Sequence, residues 1–140
     1  MKKYLLFIAL ALVIAAPGFA KDPAVPAVVK TSFKNLYPKV QSAKWDKEDG
    51  DFEASFTLDK VKNSVKFDPA GNVVETEVAM PTEALPANAA AYVGSHYGKK
   101  ALKGAAKITD AKGVVNFEAE IKGKDVLFDA NGNFLKEAKD

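Results

Sequence analysis

Apolar and polar residues alternate along several short stretches of the chain, one of which runs from residue 52 to residue 58. Its apolar positions, each separated by one polar residue, are Phe52, Ala54, Phe56 and Leu58. A period of two is typical of a β-strand with one buried and one solvated face. The alternation recurs at 115–121, and residues 65–67 and 126–128 extend the same inner face. Closing strands are predicted over 73–78 and 134–137.

Two other stretches carry apolar residues at helical spacing. Pro26 opens the first, where proline suits the opening turn of a helix, and Pro38 ends it. Pro86 opens the second, and Gly98 is placed to cap its end. The chain therefore predicts one helix followed by four strands, and then the same order again.

Short segments of the chain recur at shifts of 60 to 65 residues. Residues 25–27 match 85–87, residues 43–44 match 106–107, and residues 52–54 match 117–119. We interpret this as two repeats, 21–80 and 81–140, that together form one compact domain. The predicted fold class is α+β. Two helix-plus-antiparallel-sheet units join in a continuous antiparallel sheet, with helices on one face and water on the other.

The links between the strands carry turn signals. Residues 122–125 (Lys-Gly-Lys-Asp) predict a tight hairpin, whereas the corresponding link, 59–64, is predicted to be about four residues longer. The segments 68–72 and 129–133 share the pattern Asp-x-x-Gly-Asn, in which aspartate opens a turn and glycine supplies a positive φ. Their oxygen ligands superficially resemble a calcium loop, but Phe134 occupies the position where an EF-hand needs glycine. We interpret both segments as structural turns and leave metal binding open.

The first 20 residues have the three parts of a secretory signal. Lys2 and Lys3 precede the apolar stretch 5–16, and small residues, Gly18 and Ala20, end it. Twelve apolar residues are too few for a membrane-spanning helix, which needs about 20. We predict cleavage after Ala20, no stable membrane span thereafter, and a periplasmic or extracellular location. A short N-terminal anchor helix is the alternative.

The net charge of +2 comes from the leader, which contains Lys2 and Lys3. All 20 basic residues are lysines, and 18 of them remain against 18 acidic residues after the leader. A formally neutral chain argues against a nucleic-acid partner, which requires a basic patch to displace counterions. The absence of cysteine excludes disulfides and thiol chemistry.

No pattern of catalytic residues stands out in the sequence. His96 is the single histidine, which is too few for a multi-histidine metal site, and its neighbour Ser95 is predicted to point in a different direction. Five carboxylates lie close together in the sequence at Asp46, Glu48, Asp49, Asp51 and Glu53. We interpret them as the solvated tip of a hairpin rather than as paired catalytic acids. The sequence predicts no catalytic residue, metal site or cofactor.

The polar face of the predicted sheet is the remaining candidate site. Trp45 aligns with Ile108 in the repeat, which favours packing, and Tyr37 and Tyr97 end the two helices as core-edge aromatics. The outer face is mixed in sign and free of aromatic residues, which is typical of a solvated surface with cross-strand ion pairs. Its residues form the candidate interaction face: Glu53, Ser55, Thr57, Lys66, Glu118, Glu120 and Lys122.

The repeated signature resembles that of the beta-lactamase-inhibitor-like, PepSY-like family of small exported bacterial proteins. It comprises a helix that opens on Pro-Ala-x-Val and ends on Tyr-Pro, then Ala-Lys-Trp, a glycine turn, Phe-Glu-Ala and Val-x-Phe-Asp-x-x-Gly-Asn. The resemblance covers nearly all of residues 22–138 in two copies. It implies tandem α+β units that form a continuous antiparallel sheet with helices on one side. No functional residue is carried over from the family.

The family also implies a class of function. The PepSY name suggests peptidase inhibition, and the beta-lactamase inhibitor grips an enzyme with the concave face of its sheet. We therefore expect an exported, non-enzymatic binding module that inhibits or regulates an envelope enzyme, with an envelope protein or peptide as its partner. A carrier that holds a small ligand or peptide in a cleft or at a strand edge is the alternative. A hydrolase that uses the carboxylates of 46–53 is the least favoured reading.

Overall fold

A computed structural model describes residues 23–139, so the predicted signal peptide, 1–20, lies outside the described residues. Two α-helices, eight β-strands and one short 3₁₀ turn (Thr82–Ala84) make up this part of the chain. In chain order they are α1 (Ala27–Leu36), β1 (Lys44–Glu48), β2 (Asp51–Leu58), β3 (Val61–Phe67), β4 (Val73–Met80), α2 (Ala87–Tyr97), β5 (Leu102–Asp110), β6 (Val115–Ile121), β7 (Lys124–Asp129) and β8 (Phe134–Lys139). The strands form one antiparallel sheet in chain order. None of the described helices has the length and apolar character needed to cross a membrane.

Both predicted helices are present and end close to the predicted residues. Helix α1 begins directly after Pro26, and its end is marked by a hydrogen bond of 2.9 Å from the Tyr37 N–H to the Phe33 carbonyl oxygen. Helix α2 begins directly after Pro86 and is capped by Gly98, whose φ of 91° lies in the region that glycine adopts without strain. The order of one helix and four strands occurs twice, while the proposed sequence repeat remains a prediction.

By its internal contacts the chain divides into two compact units. The N-terminal unit holds residues 23–80 and 106–115 of the described chain, and the C-terminal unit holds residues 81–105 and 116–139. Each unit has a helix whose apolar face meets the inner face of strands.

The core of the N-terminal unit forms where α1 covers β2 and β3. Its buried members are Val29, Phe33, Phe52, Ala54, Phe56, Val65 and Phe67. The Phe33 ring meets the Phe56 ring edge-on at 5.2 Å and the Trp45 ring at 5.4 Å between centroids. Trp45 is thus half-buried at the edge of this core, as the packing interpretation predicted.

Most of the buried side chains of the C-terminal unit come from α2, β6 and β7. They include Ala89, Val93, Ala119, Ile121, Val126 and Phe128. The Tyr92 ring of α2 meets the Phe128 ring edge-on at 5.6 Å. The inner face predicted from the alternation is therefore correct in both units.

The Asp-x-x-Gly-Asn segments are turns built around one carboxylate each. Asp68 Oδ1 accepts hydrogen bonds from the backbone N–H groups of Ala70 and Asn72, and its Oδ2 accepts one from the Asn72 amide. Asp129 repeats the arrangement with Asn131 and Asn133. These bonds explain the structural role predicted for both segments.

The link between β2 and β3 differs from its prediction. Only Asp59 and Lys60 separate the two strands, and both have a positive φ, 50° and 68°. This is the backbone of a two-residue hairpin whose twist matches that of the flanking strands. The prediction of a longer link was wrong because residues 61–64 already belong to β3.

The prediction of a fully solvated outer face was also wrong. Glu53 and Glu118 lie on that face, but each is only 5% exposed. Ser64, Asp125 and Leu127, which alternate with inner residues in β3 and β7, are likewise buried. Alternation correctly assigned these residues to a face, but part of that face is shielded from water.

Candidate functional site

The structure distributes the predicted interaction face over both units. In the N-terminal unit Glu53 lies opposite Lys66, Ser55 opposite Ser64, and Thr57 opposite Lys62. Thr57 is exposed and Ser55 is partly exposed, so these two remain accessible from this part of the face. In the C-terminal unit, Glu120 and Lys122 are exposed whereas Glu118 is buried. Whether the seven residues form an interaction face stays a prediction.

The shielded part of the face in the N-terminal unit is an ionic cluster. Lys66 Nζ forms a salt bridge of 3.2 Å with Glu48 Oε2, and their side chains are only 12% and 29% exposed. Glu53 stands across the strands from both Lys66 and Asp46. Ser55 Oγ donates a weak hydrogen bond of 3.4 Å to Glu53 Oε1. The predicted cross-strand charge pairing is therefore present, in a partly desolvated setting.

The pKa of Glu53 is raised to about 7, mainly because burial disfavours its charged form. Lys66 opposes this rise, but Glu48 and Asp46 add to it through the repulsion of like charges. Burial also disfavours the Lys66 ammonium. Its hydrogen bond to Glu48 and the surrounding carboxylates nevertheless raise its pKa above the usual value. The cluster thus contains one carboxyl that changes charge near neutral pH.

The carboxylates of 46–53 do not form an accessible acid–base pair. Asp49 belongs to the turn with Gly50, and Asp46 pairs with Lys44 at 3.0 Å. Glu53, the carboxyl with the raised pKa, is 95% shielded in the described structure. A general acid must come within hydrogen-bond reach of its substrate. This arrangement therefore favours a structural role for Glu53.

The carboxylate oxygens of Asp68 and Asp129 accept hydrogen bonds from groups of their own turns. The side-chain hydrogen bond from Asn72 is the main cause that lowers the pKa of Asp68, and the one from Asn133 does the same for Asp129.

A third turn of the same kind, opened by Asp110, was missed because Val114 replaces the final asparagine. Among residues 23–139 no group of three or more potential ligands is placed to hold a metal ion.

His96 lies at the exposed end of α2 and makes only local contacts. Its Nδ1 lies 2.9 Å from the Tyr92 carbonyl oxygen and 3.0 Å from Ser95 Oγ. The expectation that Ser95 points away from His96 was therefore wrong. The Ser95 hydroxyl also donates to the Tyr92 carbonyl oxygen at 3.0 Å, so its proton is engaged with the helix backbone.

Tyr97 ends α2 within a small polar cluster. Its hydroxyl donates to Glu137 Oε1, and Lys124 Nζ lies 2.9 Å from Glu137 Oε2 and 5.3 Å from the centre of the Tyr97 ring. Burial and the bond to Glu137 raise the pKa of Tyr97 to about 12. The cluster ties the helix end to β8 within the C-terminal unit.

An open cleft of about 680 Å³ lies in the N-terminal unit. The segment that leads into β1 forms one wall and the end of β2 forms the other. The lining residues are Lys39, Val40, Gln41, Ser42, Ala43, Lys44, Ser55, Phe56 and Thr57. Ser55 and Thr57 of the predicted interaction face thus meet at this cleft, which the sequence did not predict. No sequence motif marks it, because it arises from the place where β1 begins.

Comparison with known families and structures gives a consistent result. The family model described as "Putative beta-lactamase-inhibitor-like, PepSY-like" matches residues 50–136. This single match covers more than half of the chain and crosses the predicted boundary between the repeats. A search of curated proteins finds no match.

Several solved structures share the fold at low sequence identity. A DUF2874 family protein from Bacteroides uniformis is 16% identical, with a TM-score of 0.69 over 81% of this chain and 88% of that one. A structure from Bacteroides eggerthii, described as "putative periplasmic proteins", is 15% identical, with a TM-score of 0.68 over 84% of this chain and 90% of that one. A BLIP-like protein from Bacteroides fragilis is 22% identical, with a TM-score of 0.61 over 81% and 85% of the two chains.

These likenesses show the fold, and the family match identifies the relationship that the repeated signature suggested. Helix-covered antiparallel strands, the Asp-x-x-Gly-Asn turns and the match over residues 50–136 agree with one another. The chain belongs to the beta-lactamase-inhibitor-like, PepSY-like family.

Proposed function

We propose that this protein is an exported, non-enzymatic binding module that inhibits or regulates an envelope protein. The observation that carries the proposal is the open cleft between residues 39–44 and the end of β2, where exposed Thr57 and partly exposed Ser55 are accessible to a partner. The proposal includes a leader at 1–20 and two repeats at 21–80 and 81–140. The family description supports a binding role, and the B. eggerthii description supports export to the periplasm.

The chemistry of the cleft favours recognition over turnover. Its lining combines backbone, hydroxyl and apolar groups with lysines, and no carboxylate, histidine or cysteine is among the described residues that line it. A serine or threonine hydroxyl becomes an effective nucleophile when an adjacent general base activates it, and a lysine serves as such a base when it is desolvated, whereas both lysines of this cleft are exposed. A rigid sheet end with polar and apolar groups can instead hold a partner in one orientation.

Site-specific photo-crosslinking in living cells tests the proposal. A photoreactive residue at Thr57 faces the cleft, and one at Ala111, on the exposed turn between β5 and β6, serves as the matched control. We expect a discrete envelope-protein adduct from position 57 and none from position 111. Equal labelling from both positions, or turnover of a substrate by the purified protein, would contradict the proposed function.

A peptide or small-ligand carrier is the second candidate, and the cleft volume of about 680 Å³ is the observation that favours it. Ligand pockets commonly have volumes of about 300–1,000 Å³. A carrier gains thermal stability from its ligand, since only the folded protein binds it. An inhibitor instead lowers the activity of its target enzyme. A thermal-shift screen and an enzyme assay therefore separate the two candidates.

A further inference from the structure

The end of β2 has a strand neighbour on one side only. The pairing of β1 with β2 stops at Lys44 and Ser55, because β1 begins at Lys44. Strand β2 continues through Leu58, and these last three residues still pair with β3. Within the described chain, residues 56–58 therefore form an open strand end that borders the cleft.

An open strand end can accept another strand. In an antiparallel pair, alternate residues direct both their N–H and their C=O groups to the same neighbour. The three residues 56–58 therefore present at least one donor–acceptor pair to the cleft side. Extended peptides bind sheets by adding a strand to such an edge, while pockets beside it select their side chains.

The charge around this strand end is one-sided. Within residues 23–139, the charged residues that line the cleft are Lys39 and Lys44, and both are exposed. A smaller cavity of about 190 Å³ shares residues 40–43 with the cleft, and its charged lining residues in the described chain are Lys30 and Lys34. We refer to these four residues as the lysine collar.

Existing partners do not neutralise the collar. Lys44 pairs with Asp46, but the two side chains are 72% and 41% exposed. Such exposed pairs contribute about 0–1 kcal/mol, so a competing carboxylate can replace the partner easily. Helix α1, which supplies Lys30 and Lys34, contains no acidic residue. The four lysines of the collar together with Asp46 carry a positive formal charge, although the chain after residue 20 is formally neutral.

We propose that the open strand end of β2 binds an extended acidic peptide segment, which adds as a strand beside residues 56–58. Its backbone bonds to the free edge of β2, and its carboxylates meet the lysine collar. Apolar side chains on alternate positions of the peptide fit against Val40, Ala43 and the neighbouring part of the cleft wall. This inference rests on the proposed binding function and specifies the chemistry of the partner.

Two synthetic hexapeptides test the charge requirement. One alternates glutamate with valine, the other alternates lysine with valine, and both carry acetyl and amide ends. Titration into the ¹⁵N-labelled protein is followed by the amide signals of residues 40–44 and 55–58. We expect saturable shifts of these signals with the acidic peptide only, and weaker binding at higher salt. Equal binding of both peptides, or no binding of the acidic one, overturns the proposal.

Charge-reversal variants locate the site. The double substitution Lys39→Glu with Lys44→Glu should weaken binding of the acidic peptide by about tenfold or more, as expected for the loss of two attractive charges and the gain of two repulsive ones. The matched control is the double substitution Lys99→Glu with Lys112→Glu, since both lysines lie in exposed turns. This control should bind the acidic peptide as tightly as the unaltered protein does. Circular dichroism verifies that both variants are folded. Equal affinities of the two variants contradict the assignment of the site.

Backbone methylation tests the binding mode. Two versions of the acidic peptide carry N-methyl groups on alternate amides, one version on the odd positions and the other on the even positions. Strand addition requires one version to lose binding and the other to retain it, because only alternate amides bond to β2. Retention by both versions shows that charge alone holds the peptide and overturns strand addition. If position 57 crosslinks an envelope protein while the acidic peptide fails to bind, the proposed function stands and this inference fails.

Discussion

The shielded Glu53 carboxyl makes stability depend on pH in a way that one substitution should remove. Glu53 is 5% exposed, and its pKa is about 7 in the folded protein in place of the usual 4.5. The folded state therefore favours the protonated carboxyl. Replacement by glutamine keeps the size and polarity of the side chain but removes its charge at every pH.

The magnitude follows from the pKa. The free energy of unfolding contains a favourable contribution below pH 4.5, where Glu53 is protonated in both the folded and unfolded states and carries no buried charge. That contribution is lost as the pH rises from 4.5 through 7, because the unfolded chain releases the proton first. A change from 4.5 to about 7 corresponds to about 3 kcal/mol. The attraction of Lys66 is already contained in this pKa.

Urea unfolding of the protein and of Glu53→Gln from pH 4 to pH 9 measures the effect. We expect similar free energies of unfolding at pH 4 and a variant that is more stable by up to about 3 kcal/mol at pH 9. The control is Glu83→Gln, because Glu83 is exposed on the 3₁₀ turn. A difference between Glu53→Gln and the unaltered protein that stays constant over this pH range would refute the reasoning.

Three further predictions concern packing and the end of α2. Phe52→Ala removes a ring that is 5% exposed and should lower the free energy of unfolding by about 3–5 kcal/mol in urea; a loss below 1 kcal/mol would place Phe52 outside the core. Gly132→Ala should be more destabilising in thermal unfolding than Gly113→Ala. Both positions have a φ near 80°, but only a Cβ at Gly132 would meet other atoms, Pro86 Cβ at 2.8 Å and the Ala89 nitrogen of α2 at 2.9 Å; equal losses would argue against this close approach. Ultraviolet titration should show Tyr97 ionising near pH 12, and Glu137→Gln should lower its pKa towards 10, whereas an unchanged pKa would mean that Glu137 does not contribute.

The helices were predictable because their signals are local. Pro26 and Pro86 each stand directly before the first helical residue, where a missing N–H group costs nothing. Gly98 adopts the positive φ expected of a residue that ends a helix. Each of these signals is read from a few neighbouring residues, and no tertiary contact overrides it.

The predicted solvation of the outer face failed at Glu53 and Glu118 for a physical reason. Alternation identifies which residues share a face, but it does not say whether that face is covered. Polar residues on a strand are therefore compatible with an exposed face and with a buried ionic cluster. In the N-terminal unit, the salt bridge between Lys66 and Glu48 shows that the polar residues form a buried ionic cluster. The distance between these two side chains depends on strand register, which the alternation does not give.

The hairpin at Asp59 and Lys60 was missed because lysine occupies its second position. Aspartate often opens such two-residue turns, but glycine usually follows it, since most other side chains are strained in the left-handed backbone. Lysine at φ 68° is tolerated here because the pairing of Leu58 with Val61 fixes the turn. Tertiary pairing therefore overrides the local preference at this position.

The cleft could not be predicted because it depends on a difference in length between neighbouring strands. Strand β1 begins opposite Ser55, while β2 runs on to Leu58, and only the pairing of the two reveals the open end. The positive charge around the cleft was also not predictable from the net charge of the chain. Lys30 and Lys34 belong to α1, whereas Lys39 and Lys44 belong to the segment that leads into β1 and to its first residue, yet the two cavities that these pairs line share residues 40–43. A neutral composition therefore places no limit on the charge of a partner, because a partner meets the potential of one surface and not the sum over the chain.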